Sequence, residues 1–326
     1  MKKINILLAS LFFVTISCSK FLDVKPVGKL IPTEIKQFDN LLYNEQTIDY
    51  HLVCDSNFGS VLTSLSDYVY IDDLVIKYFY NPSIVLLPRV AGYAFQTPYI
   101  NFNKGDNAFS NGCYKAVGIF NNAIDGVIGL GKENDLYGKE VIAQAKAGRA
   151  WSLLVTGMSY GAGYDPHGDN SSKTIPYRTD GDPTRPNPDI ATVEELYQNV
   201  QKDLEYAIEN APAMTTNPVR ANRAAANALM AFMYMNKGDY EKMYTYAKTA
   251  WEMQLKNYGG NASSLIYNYN DFKYENKKPL PIVPEGVDVE TKLKLETPDN
   301  MHLKSYHKEN LLYRKPIKAG FSIRPS

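Results

Sequence analysis

The first eighteen residues carry a pattern of their own. Lys2 and Lys3 precede an apolar run from Ile4 to Ile16, interrupted by Asn5, Ser10 and Thr15. A membrane-spanning helix needs about 20 apolar residues. The run is too short to span comfortably and fits the apolar centre of a secretory signal peptide. It ends Thr15-Ile16-Ser17-Cys18. A small residue before cysteine, directly after an apolar run, has the form of a bacterial lipobox, with Thr15 where leucine is usual. The expectation is cleavage after Ser17 and a lipid on Cys18. The alternative is a plain signal peptide that happens to end near a cysteine. Acyl chains contribute about 0.8 kcal/mol per buried CH2, so a lipidated chain is tethered to a membrane rather than threaded through it.

Beyond an extended leader from Ser19 to Pro26, apolar spacing divides the chain. Thr33 to Tyr50 can form a helix with Phe38, Leu41 and Leu42 on one side. Asp55 to Asn111 has poor periodicity. Its aromatics sit among Pro82, Pro88, Pro98, Asn and Asp, which reads as irregular loops. From Tyr114 to Ile128, Val117, Phe120, Ile124 and Val127 recur at steps of three and four, an amphipathic helix. Glu140 to Met158 reads as a second helix that stops at Tyr160-Gly161-Ala162-Gly163. Tyr164 to Asp189 is rich in Pro, Gly, Asp and Asn and reads as a long surface loop. Thr192-Val193-Glu194-Glu195 then fits a capping box, opening a helix that carries Leu196, Val200, Leu204 and Ile208.

The best-defined unit is Arg223 to Leu255. Its first helix carries Ala224, Ala225, Ala228, Phe232 and Met235, and its second Met243, Ala247, Ala250 and Trp251. Lys237-Gly238-Asp239-Tyr240 joins them. Glycine can close the first helix at positive φ, and Asp239 can cap the second. This is a helical hairpin. It looks like a tetratricopeptide repeat, which buries its faces on neighbouring hairpins; a generic antiparallel helix pair is the plainer reading. Lys256 to Ser326 is polar, contains proline and lacks strong periodicity.

In order, these features resemble the SusD/RagB family of Bacteroidetes-type bacteria. The likeness rests on the lipobox, Phe21-Leu22-Asp23-Val24-Lys25-Pro26, Gly148-Arg149-Ala150-Trp151, Tyr160-Gly161, Tyr164-Asp165-Pro166 and Ile175-Pro176. It continues through Thr192-Val193-Glu194-Glu195-Leu196-Tyr197, Asp203-Leu204-Glu205-Tyr206-Ala207-Ile208 and the hairpin at Asn222 to Trp251, with Glu309-Asn310-Leu311-Leu312-Tyr313 a weaker match. The resemblance implies an all-α fold of tetratricopeptide-like helical hairpins with long irregular loops that carry the binding site. Residues 1–17 would be the lipoprotein signal peptide and 18–326 the family domain, with the repeat-type helices at about 114–255. It also implies an outer-membrane lipoprotein facing the cell surface. There it would bind a glycan or peptide and act as a lid on a SusC-like TonB-dependent transporter, with no cofactor and no catalytic residues. Relatives are usually much longer, so Ser326 falls within the family pattern, as in a truncated frame or a fragment.

Composition narrows the function classes. Lys plus Arg and Asp plus Glu both number 35, without the basic excess or stripe of a nucleic-acid binder. Among Cys18, Cys54 and Cys113 no zinc-like spacing occurs. If Cys18 carries lipid, Cys54 and Cys113 could pair in an oxidising compartment or remain two buried thiols. Asp165, Asp169, Asp180 and Asp182 fall in the proline-rich loop, where solvated carboxylates are the plain expectation rather than a held hydrolytic pair. His51, His167, His302 and His307 read as surface histidines, and no metal site is expected. Trp151 and Trp251 lie on helices and are expected in the core.

Twenty-five tyrosines remain. Tyrosine offers a stiff apolar face with a polar tip, which suits sugar rings with apolar C–H faces and outward hydroxyls. Tyr78, Tyr80, Tyr93 and Tyr99, beside Lys77, Asn81, Arg89 and Gln96, are the candidate ligand-binding residues. Packing of the loops onto the helices is the competing role for each. Two function classes emerge: a ligand-capturing lipoprotein that serves a transporter, or a tetratricopeptide-type adaptor lipoprotein that binds protein and no small ligand.

Overall fold

The computed structural model describes residues 32–44, 112–266 and the single positions 47, 95 and 311. Within them six α-helices succeed one another: α1 (Ile35–Leu41), α2 (Lys115–Gly129), α3 (Leu136–Tyr160), α4 (Val193–Asn210), α5 (Arg223–Asn236) and α6 (Tyr240–Asn257). Two short strands, β1 (Lys173–Pro176) and β2 (Ile190–Thr192), lie between α3 and α4. Each helix packs on the next along the chain. The fold is all-α in its framework, as the spacing predicts, and has the stacked helical pairs of a tetratricopeptide-like array. The lipidation site Cys18, the 55–94 part of the aromatic-rich stretch and residues 96–111 lie outside the described residues. So do the leader to Pro26 and Cys54, the possible disulfide partner of Cys113. Cys113 is buried, and its Sγ donates to the Ser152 carbonyl at 3.5 Å.

The predicted apolar stripes form the core. Val117, Phe120, Ile124 and Val127 of α2 are all buried, as are Leu196, Val200 and Leu204 of α4. Helix α3 runs between them and is buried on both sides, with Val141, Ala145, Leu153 and Leu154 among its core residues. Small residues set how closely its neighbours approach. A Cβ on Gly148 would sit 2.4 Å from the Phe120 ring, and one on Gly157 would sit 2.2 Å from Leu196. Phe120 is buried and cannot swing aside. Gly148→Ala should therefore cost about 1–3 kcal/mol through overpacking, read as a lower midpoint in urea unfolding. An unchanged midpoint would mean that the α2–α3 contact yields to a methyl group.

Local chemistry sets the helix ends. The Thr192 hydroxyl accepts from Glu195 N–H at 3.1 Å, and the Glu195 carboxylate accepts from Thr192 N–H at 2.7 Å. This is the reciprocal capping box read from the sequence. Gly238 holds φ at +74°, and Asp239 accepts from Lys242 N–H at 3.0 Å to start α6. The hairpin turn is thus built as expected.

Three details differ from expectation. Helix α3 starts at Leu136, ahead of Glu140, because its first turn carries the exposed Leu136 and Tyr137 and so breaks the apolar stripe. The stretch from Tyr164 to Asp189 is not wholly loop. The β-branched Thr174 and Ile175 pair in an antiparallel ladder with the segment that enters α4. Trp251 is not core. Helix α6 turns Met243, Tyr246 and Ala250 toward α5, which leaves Ala247 and Trp251 on its outer side. Trp151 does pack, half-buried, with its ring centroid 5.6 Å from that of Phe232.

Candidate functional site

Long loops are the expected carriers of ligand, and one of them is described in full. Residues 161–192 leave α3, form the small ladder and enter α4. What fixes this loop is a buried ionic cluster. Arg149 on α3 and Asp203 on α4 form a bidentate pair, Nε to Oδ2 and Nη2 to Oδ1, both 2.7 Å. Both side chains are about 5% exposed. Lys146 Nζ approaches Asp203 Oδ1 at 3.3 Å, and the buried Tyr177 hydroxyl donates to Oδ2 at 2.8 Å. Arg149 Nη1 donates to Asn121 Oδ1 at 2.7 Å and to the Thr179 carbonyl at 3.4 Å. Asn121 in turn donates to the carbonyls of Arg178 and Asp180 at 3.1 and 3.0 Å. Tyr114 donates to the Pro176 carbonyl at 2.6 Å, and Gly181 N–H donates to Asp125 at 2.7 Å.

A buried guanidinium must be paired and hydrogen-bonded. Here its partners are the opposite helix and the loop backbone together. Burial opposes the charge on Arg149, but Asp203 and Tyr177 outweigh it and hold the guanidinium protonated above its ordinary value. Burial, with the charge of Asp203 next in size, pushes the Tyr177 phenol well up, so it serves as a donor.

The outer part of the loop is held by its own polar groups. Asp165 N–H donates to Asn170 Oδ1 at 2.8 Å, and Asn170 Nδ2 returns to the Asp165 carbonyl at 2.8 Å. Arg178 reaches Asp180, Asn187 and the Asp182 carbonyl. Hydrogen bonds from Ser171 lower the Asp169 carboxyl, and those from Thr184 lower that of Asp182. Both stay ionised at neutral pH and act as acceptors. A glycosidic general acid needs the opposite shift. Among the described residues no group of three or more His, Cys, Asp or Glu is placed to hold a metal ion. Asp165 and Asp169 sit in one turn and Asp180 and Asp182 in another, with His167 N–H on Asp165 at 2.9 Å.

One aromatic of the loop joins three elements. Tyr164 packs on Tyr197 of α4 with centroids 4.9 Å apart, donates to Glu194 at 3.0 Å and lies 4.7 Å from Lys237 Nζ at the hairpin turn. Burial, with Glu194 adding to it, raises the Tyr164 phenol. Tyr78, Tyr80, Tyr93 and Tyr99 lie outside the described residues, so the structure neither joins them to this rim nor separates them from it. Spacing does not single out Arg149 and Asp203 as a pair. Their signal is an Arg and an Asp on faces that are otherwise apolar.

Residues 20–235 match a family described as "starch-binding associating with outer membrane". The chain belongs to the SusD/RagB family. Arg149 and Asp203 stand within the motifs that carry the resemblance. Solved SusD superfamily proteins share the fold. One from Bacteroides thetaiotaomicron is 17% identical with a TM-score of 0.54, over 72% of this chain and 48% of its own. One from Bacteroides vulgatus is 17% identical with a TM-score of 0.54, over 73% and 50%. One from Bacteroides fragilis is 19% identical with a TM-score of 0.51, over 68% and 50%. The chain thus spans about half the length of these SusD relatives. No curated protein matches it at a comparable level. Among the described residues no helix is long and apolar enough to cross a membrane.

Proposed function

We propose that this SusD-like chain is an outer-membrane lipoprotein, anchored through Cys18 and facing the cell surface. It captures a glycan and passes it to a SusC-like TonB-dependent transporter. The observation that carries this reading is the family match over residues 20–235, to a family described as starch-binding and outer-membrane-associated. The pattern Ser17-Cys18 after a short apolar run supports the anchor. The described loop supports binding rather than catalysis, since its shifted carboxyls are held ionised as acceptors. Tyr78, Tyr80, Tyr93 and Tyr99 are the proposed stacking platform for sugar rings.

The test is isolation of the tagged native protein from solubilised outer membranes. Co-purification of a TonB-dependent barrel and retained glycan is the expected result. A bait found in the membrane fraction with neither would leave the adaptor reading standing instead. For the platform, Tyr80→Ala with Tyr93→Ala should remove retardation on a glycan affinity gel, because alanine lacks the aromatic face that a sugar ring covers. Unchanged retardation in a folded double variant would take these tyrosines out of the site.

A further inference from the structure

Helix α6 carries two apolar stripes, and α5 covers one of them. Met243, Tyr246 and Ala250 face α5, with the Tyr246 ring stacked on Tyr234 at 5.5 Å. The second stripe is Tyr240, Tyr244, Ala247, Trp251 and Tyr258, at steps of four, three, four and seven. At 3.6 residues per turn these positions fall within roughly 60° of the helix circumference, along about 27 Å of its length. All five are exposed: Tyr240 by 66%, Tyr244 by 63%, Trp251 by 41% and Tyr258 by 39%, and Ala247 also by class. Among the described helices α5 is the one that packs extensively on α6.

Spacing of three and four is that of a helix face meant for a neighbour. A stacked array needs a polar outer face on its last helix if no further element packs there. Here that face is aromatic instead.

The path of the chain beyond α6 points to the occupant of this face. After Asn257, Gly259 and Gly260 both adopt positive φ, and Gly260 N–H returns to the Leu255 carbonyl at 2.8 Å. The Ser264 hydroxyl donates to the Tyr258 carbonyl at 2.7 Å, and Leu265 is buried. The chain is thus turned back and pinned beside Tyr258, the last member of the stripe. Residues 267–326 start from that point. They open with Tyr267, Tyr269, Phe272 and Tyr274, and Leu311 further along is half-buried. Covering 27 Å takes only about eight extended residues, so the segment has ample length.

We infer that residues 267–326 of this same chain pack over the α6 stripe and complete the helical array. The test uses the full chain with Tyr244 replaced by the photocrosslinker p-benzoylphenylalanine, irradiated at two protein concentrations tenfold apart. The expected product is a crosslink within one chain onto a peptide from 267–326, in a yield that does not change with concentration. Crosslinks between two chains, or onto residues before 267, would overturn the inference, as would a folded protein that gives no crosslink at all. If the Tyr244 variant does not fold, the same replacement at Tyr240 gives the same readout, because that side chain lies on the same stripe and is as exposed.

Discussion

Asp203→Ala is expected to destabilise the protein by about 3–5 kcal/mol, a third or more of the stability of an ordinary domain. The reason is what remains behind. Arg149 is buried on α3 and keeps its charge, but its bidentate partner is gone. Asn121 and the Thr179 carbonyl remain as acceptors, and neither is charged. Tyr177 loses its acceptor as well. Since the same cluster ties α3 to α4 and both to the loop backbone at 178–180, the loss should loosen the loop before it melts the helices. Urea unfolding monitored by circular dichroism gives the stability. Proteolysis between Tyr177 and Ile190 at low urea gives the loop.

A second variant separates charge burial from lost packing. Arg149→Met with Asp203→Leu removes both charges together, and buried pairs replaced by apolar groups are often neutral. The double variant should therefore be more stable than Asp203→Ala alone, a strongly non-additive pair. If Asp203→Ala falls within about 1 kcal/mol of the wild type, the cluster is not what holds α3 and α4 together.

The contrast between this cluster and the helix ends shows what a sequence exposes. The capping box at Thr192 and Glu195 closes over three residues, and the turn at Gly238 closes over two or three. Such local chemistry can be read residue by residue. Arg149 and Asp203 are 54 positions apart, and nothing local says that they meet. Each looks like an ordinary charge on a helix until the faces around it are found to be buried. The strand at Lys173–Pro176 is hidden for the same reason. It is four residues long and is stabilised by a partner segment at 190–192, across a loop that reads as turns.

Trp251 eludes the sequence by a different route. Its helix has two apolar stripes, and periodicity alone does not say which of them faces the adjacent helix. The small residues decide it here. Ala250 lets α5 approach closely, while Ala247 lies on the outer stripe beside Trp251. The proposed stacking tyrosines illustrate a further limit. Their case rests on residue type and neighbours, with no periodicity to give direction, so spacing does not rank binding above packing for any of them.

The other large effect belongs to α1. The buried Asp39 carboxylate is paired with Arg220, from the turn ahead of α5, and also accepts from Tyr137 at 2.9 Å and Lys36 at 3.1 Å. Arg220 is itself held by Gln144 at 2.6 Å and lies over the Tyr43 ring at 4.6 Å. Burial would raise the Asp39 carboxyl, but hydrogen bonding and charge from Arg220, with help from Tyr137 and Lys36, leave it lowered. A carboxyl with a lowered folded value contributes stability that is fully present above its unfolded value of about 3.9. That contribution is lost as pH falls through the folded value. Asp39→Asn should therefore cost about 3–5 kcal/mol at pH 7, because Arg220 is left as a buried charge without its counterion. The gap between wild type and variant should then shrink as pH falls below about 4, where the wild-type carboxyl takes up a proton and comes to resemble the amide. Other carboxyls held low, among them Asp169, Asp182 and Asp239, weaken both proteins in acid alike and cancel in the difference. Urea unfolding of the two proteins at pH values of about 7 and about 3, either side of that carboxyl range, measures this difference directly. A gap that stays constant across that range would show that Asp39 holds α1 by shape and hydrogen bonding, with the charge on Arg220 satisfied elsewhere.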